Sequence, residues 1–263
     1  MKVGYSVTVA FVNVNGGRRH QLTWGCNVPT AYPYAAVLFD MDGTLIDNVP
    51  LHQAVWKEFT RQHGLNLSDA QLDFAKGRKA VEVVGHLWPA ACPTEVARLT
   101  AERQELYRSR LADSDLVRPV AGAEAFLAAL GALGVVRVLA TDAPRANVEA
   151  VLRRFPLASY FEGTVTSDTV QHGKPHPEIF LAAATRAKVA PGRCLVAEDS
   201  RAGVAAAKAA GCACLGLATN QSEADLRREG ADYVAVNYLN LPANVAGGSG
   251  DINLTEPRRR TDL

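Results

Sequence analysis

The sequence predicts an α/β protein in which a parallel sheet forms the core and an all-helical domain is inserted after the first strand. Two observations predict this fold. Short apolar runs alternate with helical patterns from residue 35 onward, and residues 48–118 interrupt that alternation without a strong strand pattern. Alternating strands and helices are typical of βαβ units, which build a Rossmann-like sheet core with helices on its faces.

Six apolar runs are the predicted strands of this core. In chain order they read AAVLF, VVRVLA, GTVTS, RCLVAE, CACLGLA and DYVAV. Helix signals stand between them: Pro144 suits the first turn of RANVEAVLRRF, and Ser200 can cap RAGVAAAKAA, which Gly211 then ends. Because parallel strands need crossover connections, this order of strands and helices favours a parallel sheet.

The interruption at residues 48–118 predicts a helical cap domain. Its clearest helical stretches are LHQAVWKEFTRQHG and TEVARLTAERQELYRSRL. A crossover needs only about a dozen residues, so the length of this segment favours a separate module that covers a site and excludes water from it. The alternative is that these helices only complete one face of the sheet. With the cap at 48–118, the predicted core comprises residues 35–47 and 119–240.

The sequence assigns no function to the two ends of the chain. Residues 1–34 form an N-terminal extension in which YSVTVAFVNV alternates apolar and polar positions before NGG, a candidate hairpin turn. This segment is either a small hairpin packed on the domain or an extension derived from a vector or an upstream start site. Residues 241–263 are a C-terminal tail.

The composition is that of an ordinary globular protein. Hydrophobic residues make up 48% and charged residues 21% of the 263 positions, which argues against a disordered, fibrous or coiled-coil chain. The formal charge is +1, and the basic run EPRRR in the tail is short, so we expect no nucleic-acid partner.

The cysteines and the apolar segments indicate a cytoplasmic protein. No apolar segment reaches the ~18 residues that span a bilayer, and the N-terminus lacks a signal-peptide pattern, so we expect no membrane partner. We expect a monomer or a dimer. The cysteines are odd in number and lack metal-site spacing, which predicts reduced, mostly buried thiols at Cys26, Cys92, Cys194, Cys212 and Cys214.

The stretch VLFDMDGTLID places three acids directly after the first predicted strand. Asp40 and Asp42 are two residues apart, so their side chains can point to the same side beyond the strand end. Gly43 and Thr44 offer a tight turn whose backbone N–H groups can face an anion. Convergent carboxylates require a positive partner, either a metal ion or a lysine; the alternative is a solvated acidic turn.

Three further polar motifs follow predicted strands or precede a helix. Thr141 ends VLAT, Glu198 and Asp199 end LVAED, and Lys174 lies in the loop HGKPHPEIF. Ligands of open parallel sheets gather outside the carboxyl ends of the strands, so these motifs point into one crevice. Taken singly, Thr141 could be an ordinary strand-end residue, Lys174 a solvated charge, and EDS a helix cap.

In order and spacing, the motifs FDMDGTLID, LAT, GKPHPEIF and AEDSRAG resemble the haloacid dehalogenase superfamily, in its phosphatase and phosphomutase branch. The resemblance covers residues from about 35 to 240. It implies that Asp40 is a nucleophile that forms a phosphoaspartate and that Asp42 is the general acid/base. It also implies that Thr141 and Lys174 hold the phosphoryl group.

The resemblance further implies one bound Mg²⁺. Its ligands would be the Asp40 side chain, the Asp42 backbone carbonyl and Asp199, with Glu198 close by or acting through water. A hard cation with oxygen ligands, together with one ammonium, suits phosphoryl transfer because that reaction needs charge neutralisation and in-line placement. Dehalogenase members lack an aspartate two residues after the nucleophile, so the presence of Asp42 favours phosphoryl chemistry.

The predicted cap holds the candidate substrate residues. DNVPLHQAVWKEF resembles the start of the cap in β-phosphoglucomutase and related sugar phosphatases, and it places His52 and Trp56 four apart on one helix face. These two side chains could contact a sugar phosphate; alternatively, they stabilise a contact between two helices. The basic turn at Gly77, Arg78 and Lys79 matches a substrate-reading loop, where Arg78 could bind a second phosphate or a hydroxyl. The alternative is a solvated turn.

Two departures from the family pattern bear on the reaction. Asp142 stands where relatives usually have Asn, Ser or Gly, and this candidate substrate residue would weaken anion binding if its side chain faced the phosphate. We expect strand-end alternation to turn it away. Ala143 replaces a hydroxyl residue that in the mutase helps to hold a second phosphate. We therefore expect a Mg²⁺-dependent phosphatase for a small sugar or polyol phosphate ester. The alternatives are a β-phosphoglucomutase-like enzyme with the same intermediate and a binding protein on a retired scaffold, which the complete set of charges disfavours.

Overall fold

The structure is a computed structural model that describes residues 32–75 and 78–246 in full, and the backbone of residues 7–10 and 21–24. Four elements of the sequence analysis lie outside these residues, namely the candidate substrate residue Gly77, the thiol of Cys26, the candidate turn NGG and the tail beyond residue 246.

The described strands are short, and most of them are apolar. They are β1 (Val7–Ala10), β2 (Gln21–Trp24), β3 (Ala36–Phe39), β4 (Ile46–Asp47), β5 (Arg118–Pro119), β6 (Val136–Ala140), β7 (Gly163–Val165), β8 (Cys194–Glu198), β9 (Ala213–Leu217) and β10 (Tyr233–Ala235). Each predicted core strand overlaps one of them.

Six of these strands form the central sheet in the order β10-β9-β8-β3-β6-β7, with parallel pairing at every step. This confirms the predicted fold class. β3 lies in the middle, between β8 and β6, so the first strand of the core has its carboxyl end flanked by two others. Residues that follow these three strands therefore share one edge of the sheet.

Helices cover both faces of the sheet and fill the predicted insertion. They are α1 (Val49–Gln62), α2 (Asp69–Ala75), α3 (Ala80–Leu87), α4 (Pro93–Leu111), α5 (Ala123–Ala132), α6 (Arg145–Arg154), α7 (Glu178–Ala187), α8 (Arg201–Ala209), α9 (Glu223–Glu229) and α10 (Ala243–Ala246). The Ser200 side chain caps α8, and Gly211 follows its end with φ of +78°, as predicted. Pro144 instead precedes the first helical residue of α6, at the N-cap.

Alternate residues of each central strand enter two different apolar layers. In β3, Val37 and Phe39 pack with α5 and α6, whereas Ala36 and Leu38 pack with α7 and α8. A strand buried on both faces needs apolar residues at every position, which is why these runs read as continuous rather than alternating. Three thiols, at Cys194, Cys212 and Cys214, are buried in or beside this sheet, and Cys92 is exposed.

The inserted helices have an apolar cluster of their own, built around Trp56, Phe59, Val84 and Leu99. This cluster supports the cap hypothesis over simple completion of the sheet, while Leu51 of α1 and Leu111 of α4 join the layer on one sheet face. The domain boundaries stay a prediction. The segments that enter and leave these helices pair with each other as β4 and β5, antiparallel. The sequence analysis missed this pair because each strand is only two residues long.

The N-terminal segment contains two short paired strands. β1 and β2 pair antiparallel, from Val7 opposite Trp24 to Ala10 opposite Gln21, while the candidate turn between them lies outside the described residues.

In the part of the chain that is described, no helix combines the length and the apolar character needed to cross a bilayer.

Candidate active site

The four predicted motifs meet at the carboxyl edge of the sheet. Asp40 directly follows β3, Thr141 directly follows β6, and Glu198 is the last residue of β8. Lys174 reaches the same point from the loop before α7. All of these side chains are buried, although each is polar or charged. Burial of this kind is costly unless the groups are paired, so the contacts among them define the site.

Lys174 is the centre of these contacts. Its Nζ donates to Asp40 Oδ1 at 2.6 Å and to Glu198 Oε1 at 2.5 Å, although these partners lie 134 and 24 positions away in the chain. The Lys174 side chain is 3% exposed. The predicted alternative, a solvated loop charge, is therefore wrong for Lys174.

The turn after Asp40 brings the second acidic motif close. Gly43 has φ of +79°, and a Cβ there would overlap the carboxylate of Asp199. Only glycine tolerates both this backbone conformation and this approach. Thr44 donates its hydroxyl hydrogen to Asp199 Oδ1 at 3.3 Å. The glycine and the threonine of the DGT motif thus place Asp199 beside the strand end that carries Asp40.

Glu198 is fixed from two sides. Its Oε1 accepts from Lys174, while its Oε2 accepts from the backbone N–H groups of Asp199 and Ser200, both at 2.8 Å. The space above Gly203 is filled by the same carboxylate, since a Cβ there would overlap it. Glu198 therefore orients Lys174 and the loop that carries Asp199.

Charge does not balance in this centre. Among the described residues that form it, the carboxylates of Asp40, Glu198 and Asp199 face the single ammonium of Lys174. Burial, opposed by Lys174 and reinforced by Glu198 and Asp42, raises the pKa of Asp40 to about 8. Burial and the charges of Glu198 and Asp40 raise the pKa of Asp199 as well. The excess negative charge favours binding of a cation.

This excess predicts a pH-dependent stability. Without divalent metal, folded Asp40 keeps its proton up to about pH 8, whereas in the unfolded chain it releases the proton near its ordinary pKa of 3.8. Because the folded state then binds more protons, we expect the free energy of unfolding to fall as pH rises through this range. Asp40→Asn, which carries no charge, should lack this component. The measurement is urea unfolding of both proteins in EDTA across the range; a parallel pH dependence in the two would contradict the prediction.

A divalent cation fits the acidic cluster. Oxygen atoms of Asp40, Glu198 and Asp199 lie within 4.8 Å of one another, and all three residues are buried. Carboxylate oxygens are hard ligands of the kind that Mg²⁺ prefers. The donor set and the uncompensated charge both suit such an ion. The side chain of Asp42, by contrast, is held by other groups, so only its backbone carbonyl remains a candidate ligand.

Asp42 has a separate environment on the side of the cap. Asn48 Nδ2 donates to Asp42 Oδ1 at 2.5 Å, and His52 Nε2 lies 3.6 Å from Oδ2. Burial alone would raise the pKa of Asp42, but His52 and Asn48 hold it below its ordinary value. Asn48 and His52 belong to the start of the cap, so the cap sets the proton affinity of this acid.

A buried arginine, which the sequence analysis missed, lies behind His52. Arg103 Nη2 lies 2.8 Å from His52 Nδ1. Since a guanidinium can only donate, Nδ1 must accept, and a neutral His52 then carries its proton on Nε2, facing Asp42. The guanidinium also stacks on the ring of Trp56 at 4.5 Å. His52 in turn stacks on Tyr107 with a centroid distance of 4.3 Å.

One cavity lies between the cap and the core, and it includes the predicted substrate residues His52, Trp56, Arg78 and Asp142 together with the core site. Lys79 is not brought into it: the side chain of Lys79 lies across Gly173, in the loop that carries Lys174. Gly77 is not described. The helix-face argument for His52 and Trp56 therefore places both side chains correctly, and their role in binding stays a prediction.

Asp142 departs from its expected orientation. Strand alternation was expected to turn it away, yet it lines the cavity beside Thr141. The reason is that β6 ends at Ala140, so the alternation no longer applies two residues later. Asp142 Oδ2 accepts from the backbone N–H of Lys174 at 2.8 Å, and its buried Oδ1 has no hydrogen-bond partner among the described residues.

Known proteins resemble the chain over most of its length. A family model described as haloacid dehalogenase-like hydrolase matches residues 34–211. Hexitol phosphatase A of Escherichia coli is 32% identical over 177 residues, which cover 66% of this chain and 79% of that protein. β-Phosphoglucomutase of Bacillus subtilis is 29% identical over 192 residues, covering 71% and 84%. A crystal structure of a HAD hydrolase of family IA, variant 3, from Entamoeba histolytica superposes with a TM-score of 0.73 at 27% identity, covering 80% and 96%.

Proposed function

The chain belongs to the haloacid dehalogenase-like hydrolase family, in its phosphatase and β-phosphoglucomutase-like branch, and from this premise we propose a Mg²⁺-dependent phosphatase. Its substrate would be a small sugar or polyol phosphate monoester, cleaved through a phosphoaspartate intermediate. The observation that carries the proposal is the contact of buried Lys174 with both Asp40 and Glu198 in the lining of a cavity under the cap. A lysine in this place can hold an anion against a carboxylate nucleophile.

In the first half-reaction, an oxygen of Asp40 attacks phosphorus and the bond from phosphorus to the ester oxygen breaks. Asp42 gives a proton to that leaving oxygen. Thr141 and Lys174 hold the phosphoryl oxygens, and Lys174 reduces the repulsion between the carboxylate and the phosphate. Bound Mg²⁺, held by Asp40, Asp199 and the Asp42 carbonyl with Glu198 nearby, would neutralise further charge.

In the second half-reaction, water attacks phosphorus and the bond to Asp40 breaks, which releases inorganic phosphate. Asp42 takes the proton from the water. The lowered pKa of Asp42 keeps this carboxyl group ionised, the form that can accept the proton. In the first half-reaction Asp42 must instead carry a proton, and the negative charge of a bound phosphate raises its proton affinity in the required direction.

Asp142 and Ala143 support hydrolysis over a mutase reaction. A mutase must hold a second phosphate in the cavity, yet Ala143 offers no hydroxyl, and the carboxylate of Asp142 lines the same space. The two described cap arginines that line this cavity are already engaged: Arg103 contacts His52 Nδ1 at 2.8 Å, and Arg78 lies 4.0 Å from Glu82. The surroundings therefore favour hydroxyl groups over a second dianion.

Incubation with β-glucose 1-phosphate, a trace of glucose 1,6-bisphosphate and Mg²⁺ should release inorganic phosphate and accumulate little glucose 6-phosphate. The physical reason is that a bisphosphate intermediate would meet the carboxylate of Asp142. Phosphate release and glucose 6-phosphate formation are measured in the same samples. A hexitol phosphate serves as the positive control for hydrolysis. Conversion to glucose 6-phosphate without phosphate release would establish the mutase instead.

A further inference from the structure

The loop that carries Lys174 and the first residue of α7 bring three potential metal ligands together on their outer side. His172, His176 and Glu178 each offer one ligand atom, and these atoms lie within 4.8 Å of one another. His172 Nδ1 is 2.9 Å and His176 Nδ1 is 3.9 Å from the same oxygen, Glu178 Oε2. The proposed phosphatase reaction uses only Lys174 from this loop, so the three side chains have no role in it.

The carboxylate in this group is already held in place. The backbone N–H of Gln171 donates to Glu178 Oε1, and that of His172 donates to Oε2, both at 2.9 Å. These backbone donors and the His172 ring lower the pKa of Glu178 to about 2, so it is ionised at neutral pH. The centroids of the two imidazole rings are 4.5 Å apart. His176 Nδ1 accepts from the backbone N–H of Glu178 at 3.3 Å, so a metal ion must compete with that hydrogen bond.

We propose that His172, His176 and Glu178 form a second metal site, selective for a transition-metal ion such as Zn²⁺. Two imidazoles and one carboxylate are a common ligand set for Zn²⁺, with a fourth position left to water. Imidazole nitrogen suits Zn²⁺, Cu²⁺ and Ni²⁺, whereas Mg²⁺ prefers oxygen alone, so the two sites differ in the ion they take. On binding, the ion replaces the hydrogen bonds that the His172 and His176 rings make with Glu178, while the Gln171 N–H continues to orient the carboxylate.

The position of the site links it to the active-site loop. His172 and Glu178 lie on either side of Lys174 in the chain, and their side chains are accessible from solvent, whereas Lys174 points inward and is buried. An ion bound by these residues would connect the chain before Lys174 to the chain after it, on the side of the loop that faces solvent. It binds only the folded chain in this geometry, so it should raise the unfolding temperature.

Zn²⁺ binding to the untagged full-length protein in saturating Mg²⁺ tests the proposal. Saturating Mg²⁺ competes with Zn²⁺ for the proposed oxygen site, and the histidine variants identify the Zn²⁺ bound by the second site. We expect about one Zn²⁺ per chain, with affinity reduced at least about tenfold in His172→Gln and in His176→Gln, since each loses one of three ligands. Zn²⁺ should raise the unfolding temperature of wild type and should leave that of both variants unchanged.

His63→Gln is the matched control. His63 contacts Glu102 at the same 2.9 Å, but this pair is not part of a cluster of three ligands among the described residues. We expect its Zn²⁺ affinity to equal that of wild type. Equal affinity of His176→Gln and wild type, or no Zn²⁺ retained by wild type, would overturn the proposal. Zn²⁺ binding is measured without substrate, so this result stands apart from whether the protein is a phosphatase.

Discussion

Asp40→Asn is expected to lower the hydrolysis of phosphate monoesters by about 10⁴-fold or more, because an amide cannot act as the nucleophile. Asparagine keeps the size of the side chain and an oxygen that can still accept from Lys174, so the fold should persist. The measurements are turnover of p-nitrophenyl phosphate in Mg²⁺ and acid quenching with labelled substrate. Wild type should give a labelled phosphoenzyme, and the variant should give none.

Asp47→Asn is the matched control for this change. Asp47 is the third acid of the same sequence stretch, but it pairs with the exposed Arg118 at 2.9 Å instead of joining the Lys174 cluster. Exposed ion pairs of this kind contribute about 0–1 kcal/mol, so activity and stability should remain near those of wild type. Turnover by Asp40→Asn equal to that of wild type would remove the assignment of Asp40 as nucleophile.

Lys174→Met is expected to abolish measurable turnover and to destabilise the metal-free protein by about 3–5 kcal/mol. The reason is that Glu198 would then lie buried without its cation and Asp40 without its hydrogen-bond donor. We expect added Mg²⁺ to recover part of the stability by supplying positive charge to the same carboxylates. Urea unfolding with EDTA and with Mg²⁺ measures both effects.

Lys208→Met provides the comparison for Lys174→Met. Lys208 makes an equally short contact of 2.6 Å with Asp232, but both side chains are more than one-third exposed. Its loss should therefore cost about 1 kcal/mol or less, with no dependence on Mg²⁺. If both lysine variants lost the same stability, burial of the Lys174 pair would not have the energetic role assigned to it.

The core of the candidate site was predictable because parallel-sheet geometry constrains it. Once apolar runs identify the strands, residues such as Asp40, Thr141 and Glu198 must meet at one edge, whatever the loops do. The arrangement of the loop containing Lys174 required the additional motif match. Sequence spacing also placed His52 and Trp56 on one face, since helical neighbours four apart share a side.

Other parts of the site could not be predicted from local pattern. Arg103 lies in a helix rich in Arg and Glu, where nothing in the sequence distinguishes a buried guanidinium from those on the surface. Its burial depends on Trp56 and His52, which are about fifty residues away in the chain. The orientation of Asp142 depends on where β6 ends, and strand boundaries are the least defined feature of a sequence pattern.

The paired linkers β4 and β5 constrain how the cap can move. Two chain segments joined side by side by backbone hydrogen bonds bend more readily than they twist, so we expect the helices to swing along a single arc. Asn48 and His52 lie just beyond this joint, and Asp42 lies just before it. An outward swing would move Asn48 and His52 away from the carboxylate of Asp42 and expose that carboxylate to water. Substrate access and the acidity of Asp42 would therefore change in one movement.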